Sequence, residues 1–277
     1  MTRTAESARG AQGRLRRIEG RHNALVKALR LAFTHAERTE EGDCAIEGLR
    51  IVEEAIRSGL KFRAIFFKES AQNLAERFLP QIGAHVETLL LPDKLFDSAV
   101  ASESPQGVAA LVRVKDFTVD DVLERLQVGP VVVAIALQDP GNLGTILRSA
   151  EAFGSAGVVV GEGTVSPFNA KVIRASAGSL FRLPVVVARA GDFLAKFRSN
   201  GLRLIATSSH KGSPLHESKL DSPCAILIGA EGAGLPRDIL AQADETVEIL
   251  HSPQVESLNA GVAGSIVLYE AARQRQG

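Results

Sequence analysis

The stretch VVVAIALQDPGNLGTILRSAEAFG, residues 131–154, carries the pattern that decides the fold. Residues 131–137 form a near-continuous apolar run of strand length, which is typical of a strand buried in a parallel sheet. The turn Asp139-Pro140-Gly141 follows, and Asn142 is placed to cap a helix over 142–153. Arg148 lies off the apolar stripe of that helix, so its guanidinium can reach the carboxyl end of the preceding strand.

The same alternation of strand and helix extends in both directions along the chain and predicts an α/β fold in two domains. In the first series, the predicted strands are 44–46, 64–68, 86–91 and 107–114, and the predicted helices are 47–58, 71–79 and 93–99. In the second series, the predicted strands after 131–137 are 157–160, 184–188, 203–207, 225–229 and 246–250, and the further helices are 170–175, 193–198, 237–241 and 256–273. Asp116, Asp120 and Asp121 interrupt the apolar pattern and place the boundary near 114–120.

Composition excludes several classes of protein. The 277 residues are 45% hydrophobic and 23% charged, as in a globular protein with a filled core. We expect a cytoplasmic protein without membrane contact or metal, because no apolar run reaches the length of a membrane span and the start lacks a secretory core. Two distant cysteines, Cys44 and Cys224, predict buried or idle thiols in place of a disulfide framework.

Charge is distributed unevenly although the net charge is zero. Residues 1–115 hold 18 Lys and Arg against 15 Asp and Glu, whereas residues 116–277 hold 14 against 17. The excess lies near the start, at Arg3, Arg9, Arg14, Arg16, Arg17, Arg21, Lys27 and Arg30, with only Glu6 and Glu19 among them. Residues 1–20 therefore form either a phosphate-binding arm or a solvated tail. We predict a basic flexible arm at 1–20 and domains at 21–115 and 116–277.

Two further segments place glycines and polar residues at the carboxyl end of an apolar strand, where ligands bind in open α/β sheets. In ILIGAEGAGLP, residues 226–236, Gly229, Gly232 and Gly234 permit sharp turns and close approach of a ligand, and Glu231 sits among them. A carboxylate there could contact a ligand or cap a helix.

The other segment is ILHSPQVESLNAGVAGS, residues 249–265. Ser257 and Asn259 stand at the entrance of the last predicted helix, where such residues usually act as caps. That helix has an apolar face of Leu258, Val262, Ile266 and Tyr269, and a small-residue face that allows close packing of another backbone, made of Ala260, Gly261, Gly264 and Ser265.

The order of three segments, DPGNLGTILRSAEAFG, LIGAEGAGLP and SLNAGVAGSIVLYEAARQ, closely resembles the signature motifs of the SpoU/TrmH family of SPOUT methyltransferases. The intervening IRASAGSLFRLPV is also similar to that family, and the resemblance covers most of residues 105–275. The segments NALVKAL, IEGLR and PQGV, which precede it, resemble the substrate-binding domain found before many such enzymes.

The resemblance implies a C-terminal trefoil knot, which is a known exception to the absence of threaded chains. It implies S-adenosylmethionine bound through backbone groups around Gly229, Ile249 and Leu258. It also implies a homodimer in which each active site is completed by the neighbouring chain, and a first domain of ribosomal-protein type that binds RNA. By their place in the motifs, five residues match the family's functional polar positions: Asn142, Arg148, Glu231, Ser257 and Asn259.

The implied reaction is methyl transfer to a ribose 2′-hydroxyl, which depends mainly on positioning of donor and acceptor. Arginine is a poor base because its pKa exceeds about 12. We therefore expect Arg148 to hold the neighbouring phosphate and stabilise the developing alkoxide, while the proton passes to phosphate or water. His251 is the nearest histidine, and we interpret it as structural.

Two other functions compete with this interpretation. A Rossmann-type methyltransferase would carry its glycine loop after its first strand, whereas the loop at 229–234 comes late. A non-catalytic RNA-binding or ribosome-assembly protein on the same fold would not need the polar residues of the motifs. Within the enzyme interpretation, structured ribosomal RNA is the preferred substrate because of the additional first domain, and transfer RNA is the alternative.

Overall fold

The computed structural model describes residues 14–209 and 211–276. The chain divides into two compact units at Lys115 and Asp116, except that the segment Phe168–Ile173 groups with the first unit. Residues 1–13 of the predicted arm lie outside the described residues. The predicted end of the arm at residue 20 is wrong, because Arg16–Arg17 form a strand that is paired within the first unit.

The first unit contains a five-stranded mixed sheet with helices between its strands. The strands are β1 (Arg16–Arg17), β2 (Asp43–Glu47), β3 (Lys61–Lys68), β4 (Glu87–Leu91) and β5 (Val108–Arg113). The helices are α1 (Ala24–His35), α2 (Leu49–Arg57), α3 (Leu74–Phe78) and α4 (Asp93–Asp97). The sheet order is β1-β4-β3-β5-β2, in which β4 is parallel to β1 and β3, and β5 is antiparallel to β3 and β2.

Alternation along β3 explains why helices cover both faces of this sheet, since successive side chains of a strand point to opposite faces. Phe66 packs in a cluster with Val26 and Leu29 of α1. Its neighbour Phe67 contacts Phe78 of α3, with ring centroids 6.5 Å apart. The first unit is therefore a three-layer α/β/α structure.

The second unit contains a seven-stranded sheet in which every pair of neighbours is parallel, as the apolar run at 131–137 predicted. Its order is β10-β12-β9-β11-β6-β7-β8. The strands are β6 (Val131–Ala134), β7 (Gly157–Val160), β8 (Val185–Val187), β9 (Arg203–Ser208), β10 (Ser213–Pro214), β11 (Cys224–Ile228) and β12 (Glu245–Glu248). The further helices of the chain are α5 (Val119–Leu123), α6 (Pro140–Ala152), α7 (Ala170–Ala175), α8 (Ala190–Ser199), α9 (Arg237–Leu240) and α10 (Ala260–Gln276).

Both faces of the second sheet are buried. Leu227 of β11 packs in a cluster with Phe193 and Phe197 of α8. The next residue, Ile228, lies on the opposite face against α10, because a β-carbon added at Gly264 would meet its Cδ1 atom at 2.9 Å. None of the helices that the structure describes is long and apolar enough to cross a membrane.

Several predicted element boundaries are corrected. α6 begins at Pro140, and its N-cap is Asp139, whose carboxylate accepts from the Asn142 N–H at 2.8 Å. Asn142 is therefore inside the helix and is not its cap. α10 begins at Ala260 and not at 256, because Asn259 Oδ1 accepts from the Val262 N–H at 3.1 Å and so caps the helix. Asp121, which marked the boundary between domains in the sequence, completes a capping box with Thr118 at the start of α5.

Candidate active site

Three loops that follow β6, β11 and β12 meet at one edge of the second unit, because parallel strands direct their carboxyl ends to the same side. They are the start of α6, residues 229–235, and residues 249–259. Beside them the structure holds a cavity of about 430 Å³. Its wall contains residues from the second and third motif segments, including Gly229, Glu231, Ile249, Ser257 and Leu258.

The loop after β11 folds tightly back on itself. The Ala230 and Gly234 backbones exchange two hydrogen bonds, of 3.1 and 2.8 Å. A β-carbon at Gly229 would lie 2.3 Å from the carbonyl carbon of Gly234, so only glycine allows the loop to close. Gly229 therefore serves close approach within the loop, and the exposed tip of the loop presents Glu231.

The loop after β12 is shaped by His251. Its Nδ1 lies 2.6 Å from the carbonyl oxygen of Ile249, and its Nε2 lies 3.1 Å from the carbonyl oxygen of Val255. Both ring nitrogens are thus engaged by the backbone of the same loop, which agrees with a structural role for this histidine. The loop then carries Ser257 and Leu258 along the cavity wall.

Asn142 connects the first motif segment to the second and third. Its side chain is buried, and its Nδ2 donates a hydrogen bond to Glu231 Oε1. A β-carbon at Gly261 would lie 3.2 Å from the side-chain oxygens of both Asn142 and Asn259. Asn142, Glu231 and Asn259 therefore form one polar cluster, in which Glu231 also lines the cavity.

Arg148 stands apart from this cluster. It is exposed on α6, it does not line the cavity, and it makes no hydrogen bond or ion pair to any residue within 14–209 and 211–276. The structure thus brings seven of the eight predicted site residues together around the cavity and its rim. It leaves the guanidinium of Arg148 free to meet a ligand that is not part of this chain.

One wall of the cavity was missed by the sequence analysis. Thr207, Ser208 and Ser209 at the end of β9, followed by Lys211 and Gly212, also line it. β9 is a neighbour of both β11 and β12, so its carboxyl end lies at the same edge. The polar run that follows its apolar core was the available signal.

The two cysteines have no part in this site. Both are free and buried, as predicted. Burial raises the pKa of the Cys44 thiol to about 12 and that of Cys224 to about 11, so neither is a thiolate near neutral pH. No group of three or more potential metal ligands occurs among the described residues.

A parallel sheet with a glycine loop, a capped polar cluster and a cavity at its carboxyl edge defines an α/β protein that binds a small molecule at that edge. Residues 129–269 match the SpoU rRNA Methylase family, and residues 23–110 match the MRM3-like substrate binding domain. The chain belongs to the SpoU rRNA methylase family, as its motifs predicted, and is an S-adenosylmethionine-dependent RNA 2′-O-methyltransferase.

Relatives match the chain over nearly its whole length. It is 32% identical to the 23S rRNA (guanosine(2553)-2'-O)-methyltransferase RlmP of Bacillus subtilis, over 92% of this chain and 98% of the relative. It is 30% identical to the 23S rRNA (uridine(2479)-2'-O)-methyltransferase of Streptomyces viridochromogenes, over 94% of this chain and 93% of the relative. A solved AdoMet-bound rRNA methyltransferase from Sinorhizobium meliloti superposes with a TM-score of 0.80 and 27% identity, over 94% of this chain and 98% of that one.

The cavity fits S-adenosylmethionine in size and chemistry. Its volume is within the range of about 300–1,000 Å³ that is usual for small-molecule sites. The backbones of Gly229 and Leu258 make no hydrogen bond to other described residues and can therefore bind a ligand. Apolar side chains, among them Val247, Leu240 and Val267, supply contact area for a heterocycle. Gly229, Ile249 and Leu258 are the residues whose backbones would hold the cofactor.

Proposed function

We propose that this chain methylates the 2′-hydroxyl of a ribose in ribosomal RNA. The observation that carries the proposal is the polar cluster of Asn142, Glu231 and Asn259 beside a cavity with free backbone groups. The names of the two relatives, which specify 23S rRNA, support ribosomal RNA as the substrate class. Those names differ in the nucleotide that is modified, so the target base does not carry over to this chain.

S-adenosylmethionine supplies an electrophilic methyl group on sulfur when it is bound in the cavity. The residues of the chain position the attacking hydroxyl and neutralise charge. Arg148, which is exposed and unpaired within the described chain, binds the phosphate next to the target ribose and stabilises the developing alkoxide. The proton leaves to phosphate or water, because a guanidinium stays protonated.

Asn142 and Glu231 act as positioning residues in this proposal. The Asn142 amide fixes the carboxylate at the rim of the cavity, and Asn142 is itself held at the start of α6 by Asp139. Ser257 and Asn259 place hydroxyl and amide groups on the other side of the rim. The groups that surround the reacting atoms are thus preorganised by hydrogen bonds within the fold.

The active enzyme is a cytoplasmic homodimer whose second unit is a trefoil knot, and its first unit binds RNA. An exposed apolar face on α10 supports the dimer: Val262, Ile266 and Tyr269 are 47%, 37% and 55% exposed. Such a face on a helix is typical of an interface between proteins. Because Arg148 does not line the cavity of its own chain, a neighbouring protomer would complete the site.

Methyl transfer to unmodified 23S rRNA and to unmodified tRNA tests the proposal. We expect 2′-O-methylnucleosides, detected by mass spectrometry of digested RNA, to form in rRNA and to depend on added S-adenosylmethionine. Transfer to tRNA alone would replace the substrate class. Tight RNA binding without any methylation, even though S-adenosylmethionine binds, would indicate the non-catalytic alternative.

A further inference from the structure

Most basic side chains of the first unit are already paired with acids of the same unit. Arg57 and Arg77 pair with Glu54 and Glu53, on the side of the sheet that α2 and α3 cover. Five more ion pairs or networks occupy Arg16, Arg17, Arg63, Lys68 and Arg113. These cations are unavailable to an external anion without loss of an existing contact.

The opposite layer of the unit differs. α1 packs its Val26 and Leu29 against the sheet and turns Lys27 to solvent, with Arg30 partly exposed one turn further along. Residues three apart on a helix are neighbours on its surface. Arg21 is exposed just before Asn23, the N-cap of α1. We call Arg21, Lys27 and Arg30 the α1 basic face.

None of these three side chains makes a hydrogen bond or ion pair with any residue of 14–209 or 211–276. α1 itself contains no acidic residue. Lys27 lies in the first turn of the helix, where the helix dipole disfavours positive charge. Like charges thus accumulate without internal compensation, which an external anion would supply.

Other unpaired cations of the unit are less concentrated. Arg50 lies one turn from Glu53 and Glu54 on α2, and Lys61 stands alone at the start of β3. Lys94 lies on α4 between Asp93 and Asp97. Only the α1 basic face combines three cations with the absence of acids on its own helix.

We propose that the α1 basic face binds the phosphate backbone of the substrate RNA. This inference rests on the proposed function, because it assigns a surface to the RNA that the active site methylates. A polyanion fits three unpaired cations on one helix better than a protein surface of mixed charge does, and contacts to phosphates carry no sequence information. The face thus contributes affinity and orientation, whereas the cavity of the second unit performs the reaction.

The test compares two triple variants of the full chain. R21Q/K27Q/R30Q removes the α1 basic face, and R16Q/R57Q/R77Q removes the same charge from side chains that are paired within the unit. Exposed ion pairs contribute little to stability, so both variants should fold. Binding of unmodified 23S rRNA is measured over a range of salt concentrations, and S-adenosylmethionine affinity is measured by calorimetry.

We expect R21Q/K27Q/R30Q to weaken RNA binding about 10- to 100-fold and to lower the salt dependence by two to three phosphate contacts, at about 0.7–0.9 in log–log slope for each. S-adenosylmethionine affinity should be unchanged. The control should bind RNA within about threefold of the wild type. Equal losses in both variants, or none in R21Q/K27Q/R30Q, would overturn the inference. Failure of the wild type to methylate rRNA would instead overturn the proposed function.

Discussion

At the scale of single residues, the site depends on polar groups that are held by one another. Asn142 is buried, and its amide is committed to Glu231, while its backbone N–H is committed to Asp139. Arg148 has no such commitment within the described chain. This contrast separates residues that build the site from the one that is free to act on RNA.

Arg148→Ala should therefore abolish most methyl transfer and leave S-adenosylmethionine affinity nearly unchanged. Loss of a charged donor at a developing alkoxide costs about 3 kcal/mol, or about 100-fold in rate. Single-turnover methylation of rRNA measures the first effect, and calorimetry measures the second. Near-normal turnover in this variant would remove Arg148 from the active site.

Gly229→Ala should weaken S-adenosylmethionine binding by at least 10-fold, because the added β-carbon would lie within 2.4 Å of the Gly234 backbone and force the loop open. Gly232→Ala in the same loop is the matched control, since a β-carbon there meets no atom within 4 Å. Calorimetric titration of both variants distinguishes a constrained loop from a merely glycine-rich one. Equal affinities in the two variants would contradict this interpretation.

The motif residues could be predicted from sequence because their order and spacing are specific, but their local roles could not. Asn142 and Asp139 are both good helix caps, and only the start of α6 at Pro140 decides between them. Thr207 and Lys211 were missed because a strand end carries no distinctive motif. Their place at the site follows from the position of β9 in the sheet, a long-range property.

At the scale of elements, the packing of α10 on α6 determines where the motifs meet. A β-carbon at Gly264 would lie 3.2 Å from Ile146 Cγ1, and the Ser265 and Ser149 hydroxyls are 2.7 Å apart. The small-residue face was correctly expected to receive another backbone, and that backbone is α6 of the same chain. The face therefore leaves only the apolar side of α10 for a second copy.

The C-terminal end of α10 should make stability dependent on pH. Hydrogen bonding from Arg273, and also from Gln274, lowers the pKa of Glu270 from 4.5 to about 2. A carboxylate with a lowered folded-state pKa stabilises the fold above pH 4.5, and this contribution is lost as pH falls towards 2. Glu270→Gln should therefore lower the urea midpoint at pH 7.

The difference between Glu270→Gln and the wild type should shrink below pH 4.5 and vanish near pH 2. Glu124→Gln is the control, because Glu124 is exposed and has no ion pair among the described residues. Its urea midpoint should follow that of the wild type at every pH. A deficit of Glu270→Gln that stays constant from pH 7 to pH 2 would show that the Arg273 contact does not depend on ionisation.

At the scale of the whole molecule, alternation of apolar strands and helices was enough to predict the α/β class and the parallel sheet. It did not reveal α1, β1 or β10. β1 and β10 have only two residues each, too few for a periodic pattern. The basic residues Arg16 and Arg17 suggested a free arm, but their acid partners Glu87 and Glu69 are distant in sequence and become neighbours only through folding.

Association of two chains is the next prediction at this scale. Ile266→Glu with Tyr269→Glu should convert a dimer into a monomer and abolish methylation, because two carboxylates would be buried in an interface of roughly 1,200 Å² or more. Val128→Glu is the control, since Val128 is 42% exposed and does not lie on α10. Sedimentation at micromolar concentration reads the state. A wild-type monomer that methylates at full rate would defeat the proposal of a shared site.

The most direct test of the central claim is a map of 2′-O-methyl positions in RNA from cells with and without this protein. The account predicts that a ribose in ribosomal RNA loses its methyl group when the protein is absent. The wild-type chain should restore that methyl group, and Arg148→Ala should not. An unchanged rRNA map, or a change confined to tRNA, would contradict the account.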